Sequence, residues 1–405
     1  MEAKTGGAPG AMRIGPAAIV AICFLIAAIE GYDIQSFGVS APRIGPEFHL
    51  RPAQVGNVGS IAMLGLVIGA FVGGWIADRV GRKPVLVVSV AAFGLFSLVT
   101  AMTHGYETLL AARFLTGLGF GGAIPNLIAV ATEISPVGRR AGTVTTMFCG
   151  MPAGGAAVAL AARHFGPNLP WRDLFLAGGI LPLALVPILV FLLPETRKAH
   201  APNADRNMAR ALFGEGRAVP TLLLWITFVL ALVLLYLMLN WLPLLVIAKG
   251  LPAAVGSEAS LYFNLTGIAG ALLLGIVIDR AGYRWSLTVV FLAVAASIAA
   301  LGLATGAGAV LGLSALTGFL ILGANYSLYA ISPSLYPPQV RAAGAGAAVG
   351  VGRLGSIIGP WLGGQLREAG YSAGQVLGFM APVVLVAAGS ILALSFLSKA
   401  HADQG

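Results

Sequence analysis

The sequence predicts an all-α polytopic membrane protein, with about 12 transmembrane helices arranged as two pseudo-symmetric six-helix bundles. Hydrophobic residues make up 58% of the 405-residue chain and charged residues 10%, whereas an average soluble domain carries roughly 25% charged residues. A span requires roughly 20 apolar residues, and apolar runs of that length follow one another along the chain. The division into two bundles is predicted by an internal repeat.

The repeat is clearest in a short polar loop between two apolar runs. Residues 74–83, GWIADRVGRK, recur as residues 275–284, GIVIDRAGYR, at an offset of 201. The same offset links Pro42 to Pro243, residues 115–117 to 316–318, Pro136 to Pro337 and Arg140 to Arg341, without an insertion. Parallel repeats in an apolar chain are typical of transporters whose site lies between the two halves.

The repeat and the charges divide the chain into five segments. We expect a cytoplasmic tail (1–13), a first bundle (14–193), a cytoplasmic linker (194–218), a second bundle (219–398) and a second cytoplasmic tail (399–405). Sixteen of the 24 lysines and arginines fall on the predicted cytoplasmic side, six fall on the other side, and Arg113 and Arg353 lie within spans. Because cytoplasmic loops carry the excess of basic residues, both termini are predicted to be inside. The net charge of +9 therefore reflects topology and does not indicate a nucleic-acid partner.

Two acids lie within the first span, at Glu30 and Asp33. Acids inside a span are costly and by default indicate function, and their i,i+3 spacing places them on one face of a helix. Arg113, in the fourth span, lies at similar depth and can pair with them. Burial favours the neutral form of a carboxyl group and a nearby arginine favours the charged form. We therefore expect Glu30, Asp33 and Arg113 to couple transport to protons, the alternative being a purely structural charge cluster.

The second buried cation, Arg353, lies near the midplane of the eleventh span. It is about 12 residues into the span, or roughly 18 Å at 1.5 Å per residue. Spans 7 to 12 contain no acid, and a buried cation that faces a cavity attracts an anion. Arg353 is expected to bind a substrate carboxylate, with Arg113 as a second candidate. The glycines around it do not indicate a nucleotide site, because that fingerprint requires a preceding strand in a βαβ unit.

Aromatic and amide side chains complete the candidate substrate site. These are Tyr32, Tyr236, Asn240, Asn325, Tyr326 and Tyr329. Tyr236 and Asn240 share a helix face at i,i+4 spacing, and joining two helices is an equal alternative for that pair. Spans 3 and 9 carry no comparable group and are expected to be supports that face lipid.

The repeated loop resembles the signature of the major facilitator superfamily, Gly-x-x-x-Asp-Arg-x-Gly-Arg-Arg/Lys. The first copy matches in full and the second in part, and the resemblance implies the major facilitator fold. Asp78 and Asp279 end their helices, the unfavourable end of the helix dipole for an acid. We expect them to face the starts of spans 11 and 5 and to latch the outward-open state. The residues expected in this latch are Gly74, Asp78, Arg79, Gly81, Arg82, Glu133, Arg140, Asp279, Arg280 and Arg341.

Further segments resemble a narrower family, the aromatic acid:proton symporters. They are residues 113–126 (RFLTGLGFGGAIPN), the pair Glu133 and Pro136, residues 236–243 (YLMLNWLP) and residues 352–360 (GRLGSIIGP). That family typically has Asp-Gly-Phe/Tyr-Asp in its first span, where this chain has Glu30-Gly-Tyr-Asp33. The departure at Glu30 favours Asp33 as the main proton carrier, although two acids on one face are expected to titrate as a coupled pair.

The resemblance implies proton-coupled uptake of an organic anion, an aromatic carboxylate such as a hydroxybenzoate, by alternating access across a bacterial inner membrane. The alternatives are a drug:proton antiporter, a symporter of a non-aromatic carboxylate and a non-transporting sensor of aromatic acids. No hydrolase or kinase motif indicates an enzyme, and the five histidines fall in loops or tails, so neither a metal nor a cofactor is predicted. The expected partners are the anion, the proton and the lipid bilayer, with the chain acting as a monomer.

Overall fold

The computed structural model describes residues 15–134, 140–166, 169–193, 212–214, 216–336 and 340–402. The predicted N-terminal tail and most of the linker lie outside these residues. Within them, the side chains at 134, 140, 141, 279, 284, 342 and 398–402 are also outside the described set. Two latch candidates, Arg140 and Asp279, are therefore placed by their backbone only.

The described residues of the first half form seven helices. These are α1 (Pro16–Glu47), α2 (Pro52–Val80), α3 (Arg82–Ala101), α4 (Tyr106–Ile134), α5 (Arg140–Phe148), α6 (Gly150–Phe165) and α7 (Trp171–Leu192). Helices α5 and α6 are two parts of one span, interrupted at Cys149. The first half therefore contributes six spans.

Six α-helices lie in the part of the second half that the structure describes. These are α8 (Ala218–Ala248), α9 (Ala253–Ala281), α10 (Tyr283–Leu303), α11 (Ala307–Ile331), α12 (Arg341–Glu368) and α13 (Ala373–Ala402), with a 3₁₀ turn at Ser332–Leu335 after α11. An offset of 201 carries both ends of α2 onto the ends of α9, and the start of α5 onto the start of α12. The internal repeat is therefore visible in the helix boundaries.

Eleven spans among the described residues are long and apolar enough to cross a membrane. The remaining long helix is α12, whose 28 residues are rich in glycine and include Arg353. Large apolar side chains such as Phe71, Phe191 and Leu303 are 73%, 79% and 84% exposed. Exposed apolar surface on this scale suits contact with lipid rather than water. The predicted all-α polytopic fold with two six-helix bundles is confirmed.

The two halves pack tightly at the end of the molecule where α1 ends and α2 begins, which we call the closed end. Ser60 Oγ on α2 donates a hydrogen bond to the Ile357 carbonyl on α12 at 2.7 Å. A Cβ added to Gly56 would lie 2.7 Å from the Pro360 carbonyl, so glycine at this position allows the two backbones to approach. Such small residues are typical of close helix contacts in membranes.

Two charged contacts also join the halves at the closed end. The Glu368 carboxylate accepts a hydrogen bond from the Ala53 N–H at 3.2 Å and lies 3.4 Å from Arg51 Nη1. This acid meets the N-terminus of α2, where the helix dipole favours a negative charge. Arg163 on α6 and Glu258 on α9 form the second contact, with 2.7 Å between Nε and Oε1. The sequence analysis had not singled out these contacts.

The opposite end of the molecule, where α2 ends and α3 begins, is the open end. Arg353, Gly350 and Gly346 follow Ile357 along the same face of α12, at steps of three or four residues. A Cβ added to Gly346 or Gly350 would meet no atom within 4 Å. The halves therefore diverge from the level of Arg353 towards the open end.

Candidate functional site

A cavity lies between the halves at the level where they diverge. Its empty space is about 590 Å³ when the part open to solvent is counted. Its lining comprises Gly31, Ile34, Gln35, Phe148, Met151, Pro152, Leu232, Leu235, Tyr236, Leu239, Asn264, Leu322, Asn325, Tyr326, Tyr329 and Arg353. The wall is thus mostly apolar or aromatic, with a few polar groups that can orient a ligand.

Arg353 is the cation of the cavity lining. Its Nη1 donates a hydrogen bond to Tyr236 Oη at 3.0 Å. A phenol orients the guanidinium without neutralising its charge, and the planar fork retains further donors for a carboxylate. Glu30 lies close enough for its charge to interact with that of Arg353. The carboxyl group whose charge acts on Arg353 therefore belongs to the other half of the chain. This pairing was not predicted from the sequence.

Asp33 and Arg113 form a buried ion pair beside the cavity. Arg113 Nη1 donates to Asp33 Oδ2 at 2.7 Å, and the two side chains are 2% and 1% exposed. Ser97 Oγ donates to Asp33 Oδ1 at 3.0 Å, so both carboxylate oxygens have a donor. Helix α3, expected to be only a support, therefore contributes a group to the site. Arg113 Nε has no hydrogen-bond partner among the described residues, so the pair is not fully satisfied in this state.

Glu30 differs from Asp33, although both lie on α1. Its side chain is 3% exposed, and its Oε1 has no hydrogen-bond partner among the described residues. Its charge interacts with those of Arg353 and Asp33. The two acids that the sequence placed on one face therefore divide between two arginines, Asp33 beside Arg113 and Glu30 towards Arg353. A buried carboxyl oxygen without a donor is costly, so Glu30 is poorly satisfied in this state.

Aromatic side chains from both halves wall the cavity. The rings of Phe148 on α5 and Tyr329 on α11 are stacked with centroids 6.2 Å apart, and Tyr329 meets Phe228 edge-on at 5.3 Å. Tyr326 Oη donates to the Phe148 carbonyl at 3.0 Å. Asn325 also lines the cavity, and its Oδ1 has no partner in the part of the chain that the structure describes. A flat aromatic ligand suits such walls.

Three residues predicted to bind substrate, Arg113, Tyr32 and Asn240, lie outside the lining of this cavity. The Tyr32 ring faces α7, 3.5 Å from where a Cβ on Gly178 would lie. Asn240 Nδ2 donates to the Tyr236 carbonyl at 2.9 Å, and its Oδ1 would lie 2.9 Å from a Cβ on Gly59 of α2. Asn240 is one turn beyond Tyr236 towards the closed end, where the halves are already packed.

The latch candidates lie at the open end. Arg82 and Glu133 form an ion pair within the first half, and the Arg79 guanidinium lies 3.4 Å from the Trp75 ring centroid. Gly81 has a φ of 103°, which favours glycine. These contacts fix the loop between α2 and α3, and Glu133 ties it to the end of α4.

The remaining latch candidates are separated from the other half in this state. Asp78, Arg280 and Arg341 are exposed. A Cβ added to Gly74 or Gly275 would meet no atom within 4 Å. Among the described residues no helix packs closely against these glycines, because the halves diverge at the open end.

Several groups at the site were not predicted from the sequence. Gln35 and Asn264 line the cavity, as do Phe148 and Met151. A signal existed for Gln35, because a polar side chain in the first span is costly unless it has a partner. Ser97 gave a weaker signal, since a serine in a span can satisfy its hydroxyl on its own helix.

Comparisons with known proteins agree with this architecture. A model of the Major Facilitator Superfamily matches residues 23–360. The chain is 39% identical over 368 residues to the 3-(3-hydroxy-phenyl)propionate transporter of Escherichia coli K12, with 91% of each protein covered. It is 34% identical to the 4-hydroxybenzoate transporter PcaK of Pseudomonas aeruginosa, covering 96% of this chain and 94% of the relative. It is 32% identical to the gallate transporter of Pseudomonas putida, covering 93% and 91%.

Solved structures show the same fold at lower identity. The D-xylose-proton symporter superposes with a TM-score of 0.77 over 93% of this chain and 97% of that chain, at 16% identity. A bacterial homologue of the human lysosomal transporter Spinster gives a TM-score of 0.75 over 94% and 96%, at 15% identity. The chain therefore belongs to the major facilitator superfamily, and it is a membrane transporter rather than an enzyme.

Proposed function

We propose that this protein takes up an aromatic carboxylate anion together with protons, by alternating access. The observation that carries the proposal is Arg353, which points into a cavity between the halves and bonds there to the neutral phenol of Tyr236. A guanidinium grips a carboxylate in a bidentate fork. The surrounding rings of Phe148, Tyr326 and Tyr329 offer faces and edges to the aromatic part of the same ligand.

The names of the relatives support the substrate class. The three relatives described above are named for a hydroxyphenylpropionate, a hydroxybenzoate and gallate, each an aromatic ring that carries a carboxylate. A drug:proton antiporter of cations is disfavoured, because Arg353 would repel a cation in the cavity. A carrier of non-aromatic carboxylates is disfavoured by the aromatic wall.

The proton is assigned to Asp33 and Glu30, with different roles. In this state Asp33 accepts from Arg113 and Ser97, as expected of an acid that has released its proton. Protonation would weaken the pair with Arg113 and allow the loaded carrier to reorient. Glu30 interacts with Arg353, so a charged Glu30 would compete with the substrate carboxylate. A proton on Glu30 would relieve that competition, which links proton and anion binding.

The closed end is proposed to face outside and the open end the cytoplasm of a bacterial cell. This orientation follows from the excess of lysine and arginine on the open-end side. Both termini would then be cytoplasmic, in the inner membrane, and the structure would represent an inward-facing state. On return to the outward-facing state, Asp78 would meet the start of α12 and Asp279 the start of α5, where the helix dipoles favour an acid.

Uptake by purified protein in vesicles tests the proposal. Radiolabelled benzoate, hydroxybenzoates and non-aromatic carboxylates of similar size are compared with and without an inward proton gradient. Accumulation of aromatic acids that requires the gradient is expected. Gradient-driven export of cationic drugs would indicate the antiporter instead. Equal uptake of non-aromatic acids would contradict the assigned substrate class.

A further inference from the structure

The cavity wall contains a pair of amide side chains that is separate from the Asp33–Arg113 ion pair and has no role yet in binding at Arg353. Gln35 Nε2 on α1 donates to Asn264 Oδ1 on α9 at 2.9 Å, and Asn264 Nδ2 donates back to Gln35 Oε1 at 2.6 Å. Both residues line the cavity and are 4% and 1% exposed. The two amides belong to different halves of the protein. This pair is therefore a polar element of the cavity wall that spans the boundary between the halves.

The orientation of both amides is fixed by their surroundings. Asn264 Nδ2 also donates to the Ser260 carbonyl at 2.7 Å. Turning the Asn264 amide over would place two acceptors against each other, so Oδ1 must face Gln35, and the Gln35 amide must follow. Gly155 on α6 packs against the Gln35 amide, since a Cβ there would lie only 1.7 Å from Nε2.

A count of the remaining hydrogen-bonding capacity indicates what the pair can bind. Each carbonyl oxygen has two lone pairs and each amide nitrogen two hydrogens. Both hydrogens of Asn264 Nδ2 are used, whereas one hydrogen of Gln35 Nε2 and one lone pair on each oxygen remain. The free set is one donor and two acceptors. A phenolic hydroxyl, which donates one hydrogen and accepts another, matches this set.

We propose that the Gln35–Asn264 pair is the specificity determinant that binds a ring hydroxyl of the aromatic carboxylate; this rests on the proposed function. The carboxylate occupies Arg353, and the ring lies along the aromatic wall. Gly38 lies one turn beyond Gln35 on α1. A Cβ added to Gly38 would lie only 2.5 Å from the Leu239 carbonyl oxygen of α8, so the two helices pack closely there. The amide pair thus lies one helix turn from the point where α1 and α8 pack closely, and the ring hydroxyl is placed against the pair.

Other ring substituents suit the pair less well. A second carboxylate would meet the two amide oxygens and be repelled. A methyl group would leave the free donor and acceptors unused. An unsubstituted ring is tolerated, because the two amides satisfy each other when no ligand bonds to them. The preference for a hydroxyl therefore comes from added hydrogen bonds, and we expect a hydroxylated acid to bind roughly tenfold or more tightly than benzoate.

Binding measurements on the purified, full-length protein test the assignment. Affinities for benzoate and for its three monohydroxy isomers are measured by titration calorimetry in the wild type, Gln35→Met and Asn264→Leu. Both substitutions replace the amide with an apolar side chain of similar size. The preference of the best isomer over benzoate is expected to collapse to within roughly threefold, while benzoate affinity stays within roughly threefold of wild type. Ser60→Ala, which removes another hydrogen bond between the halves outside the cavity, should leave the preference intact.

Gly155→Ala provides a second variant that leaves both amides in the sequence. Its added Cβ displaces the Gln35 amide and should reduce the preference in the same way, and thermal unfolding checks that each variant is folded. A variant that weakens benzoate and the hydroxybenzoates by one common factor would overturn the assignment, because the pair would then be structural. A wild type without preference for any isomer would do so as well. Failure of the wild type to bind any aromatic acid would instead reject the proposed function.

Discussion

The two halves of this transporter share a backbone plan but carry different chemistry at equivalent positions. The offset of 201 places Ala231 and Leu234 in the second half where Glu30 and Asp33 stand in the first. Both second-half residues are buried, at 4% and 2% exposure. Among the described residues, the acids in the central part of the spans, Glu30 and Asp33, therefore both come from the first half. The helix framework around them is the same in both halves.

The buried arginines differ from the acids, because each half contributes one of them, and at positions that are not equivalent. The position equivalent to Arg113 in the second half is Ser314, and the position equivalent to Arg353 in the first half is Pro152, each 201 residues away. Arg113 is enclosed with Asp33 at 2.7 Å, whereas Arg353 faces the cavity beside Tyr236. The same charge therefore serves two purposes. With an acid partner it forms an internal pair that a proton can break, and with a phenol it remains available to an anion.

One equivalent pair is polar in both halves. Gln35 and Tyr236 are 201 residues apart, and both line the cavity. Tyr236 contacts Arg353 on α12, and Gln35 contacts Asn264 on α9. The repeat thus supplies two polar groups at related places in the cavity wall. We assign one to the carboxylate end of the ligand and one to its hydroxyl.

The largest expected effect comes from the cation of the second half. Arg353→Ala should reduce substrate affinity by roughly a hundredfold or more, because the anion loses a charge-assisted bidentate contact. Arg353→Lys should also fail, since an ammonium lacks the planar fork. Binding is measured by calorimetry. Arg367→Ala, which removes an arginine from the last turn of α12 at the closed end, serves as a control. Wild-type affinity in Arg353→Ala would assign the substrate to another group.

The next effect concerns the acid pair of the first half. Asp33→Asn should abolish accumulation driven by a proton gradient yet leave counterflow exchange, because binding and reorientation no longer require a proton. The change leaves Arg113 buried without its anion, which can cost roughly 3–5 kcal/mol of stability. Thermal unfolding is therefore recorded for Asp33→Asn and for a second variant that carries Arg113→Gln as well. Glu258→Gln, in the closed-end contact, is the matched control. If Asp33→Asn and Glu30→Gln both still concentrate substrate, the coupling site lies elsewhere and Glu133 is tested next.

Glu30 gives a smaller effect that is specific to pH. In the wild type a charged Glu30 competes with the substrate at Arg353, so affinity should rise as the pH falls from 8 towards 6. Glu30→Gln removes the competing charge, and the variant should bind with an affinity that varies little over this range. Calorimetry at several pH values measures both profiles. A parallel pH dependence in wild type and variant would contradict the role of Glu30 in linking the proton to the anion.

Much of the fold could be predicted from the sequence because the repeat and the apolar runs are strong signals. The offset of 201 between residues 74–83 and 275–284 also relates the ends of α2 and α9. The importance of Glu30, Asp33, Arg113 and Arg353 could be inferred from the cost of burying charge in a span. These inferences need only the sequence neighbourhood of each residue.

The partners of these residues could not be predicted in the same way. Glu30 and Asp33 share a helix face by spacing, but which arginine each acid meets depends on the packing of helices distant in sequence. Asn240 shares a face with Tyr236, yet it lies beyond the level at which the halves separate. Ser97 looked featureless because its role depends on the approach of α1 to α3. Such contacts are properties of the assembled bundle.

The latch compares the two halves at the open end. Asp78 is exposed in this state, and it is expected to stabilise the state in which the open end closes. Asp78→Asn should therefore shift the population towards the present state, by roughly threefold for a contact of about 0.3–1 kcal/mol with a helix dipole. Asp279→Asn tests the equivalent contact of the other half. Labelling of cysteines introduced at each end measures the populations, and unchanged accessibility at both ends would count against the latch.

The smallest expected effect tests how finely the first half is tuned for its proton. Ser97 Oγ lies 3.0 Å from Asp33 Oδ1 and 3.2 Å from the Phe175 carbonyl, so its one hydrogen is shared between them. Ser97→Ala removes a donor that favours the charged form of Asp33, worth roughly 1 kcal/mol. Protonation becomes easier, and half-maximal uptake should move to a higher pH by roughly half a unit to one unit.

The control is Thr100→Val on the same helix, because the Thr100 hydroxyl donates only to its own helix at the Phe96 carbonyl among the described contacts. Uptake rates are measured from pH 5.5 to 8.5 with a fixed gradient. A shift in Ser97→Ala with none in Thr100→Val would assign the proton to Asp33 through a neighbour that carries no charge. Equal profiles in the two variants would mean that Asp33 does not set the pH dependence, and the division of labour between the halves would then rest on Glu30.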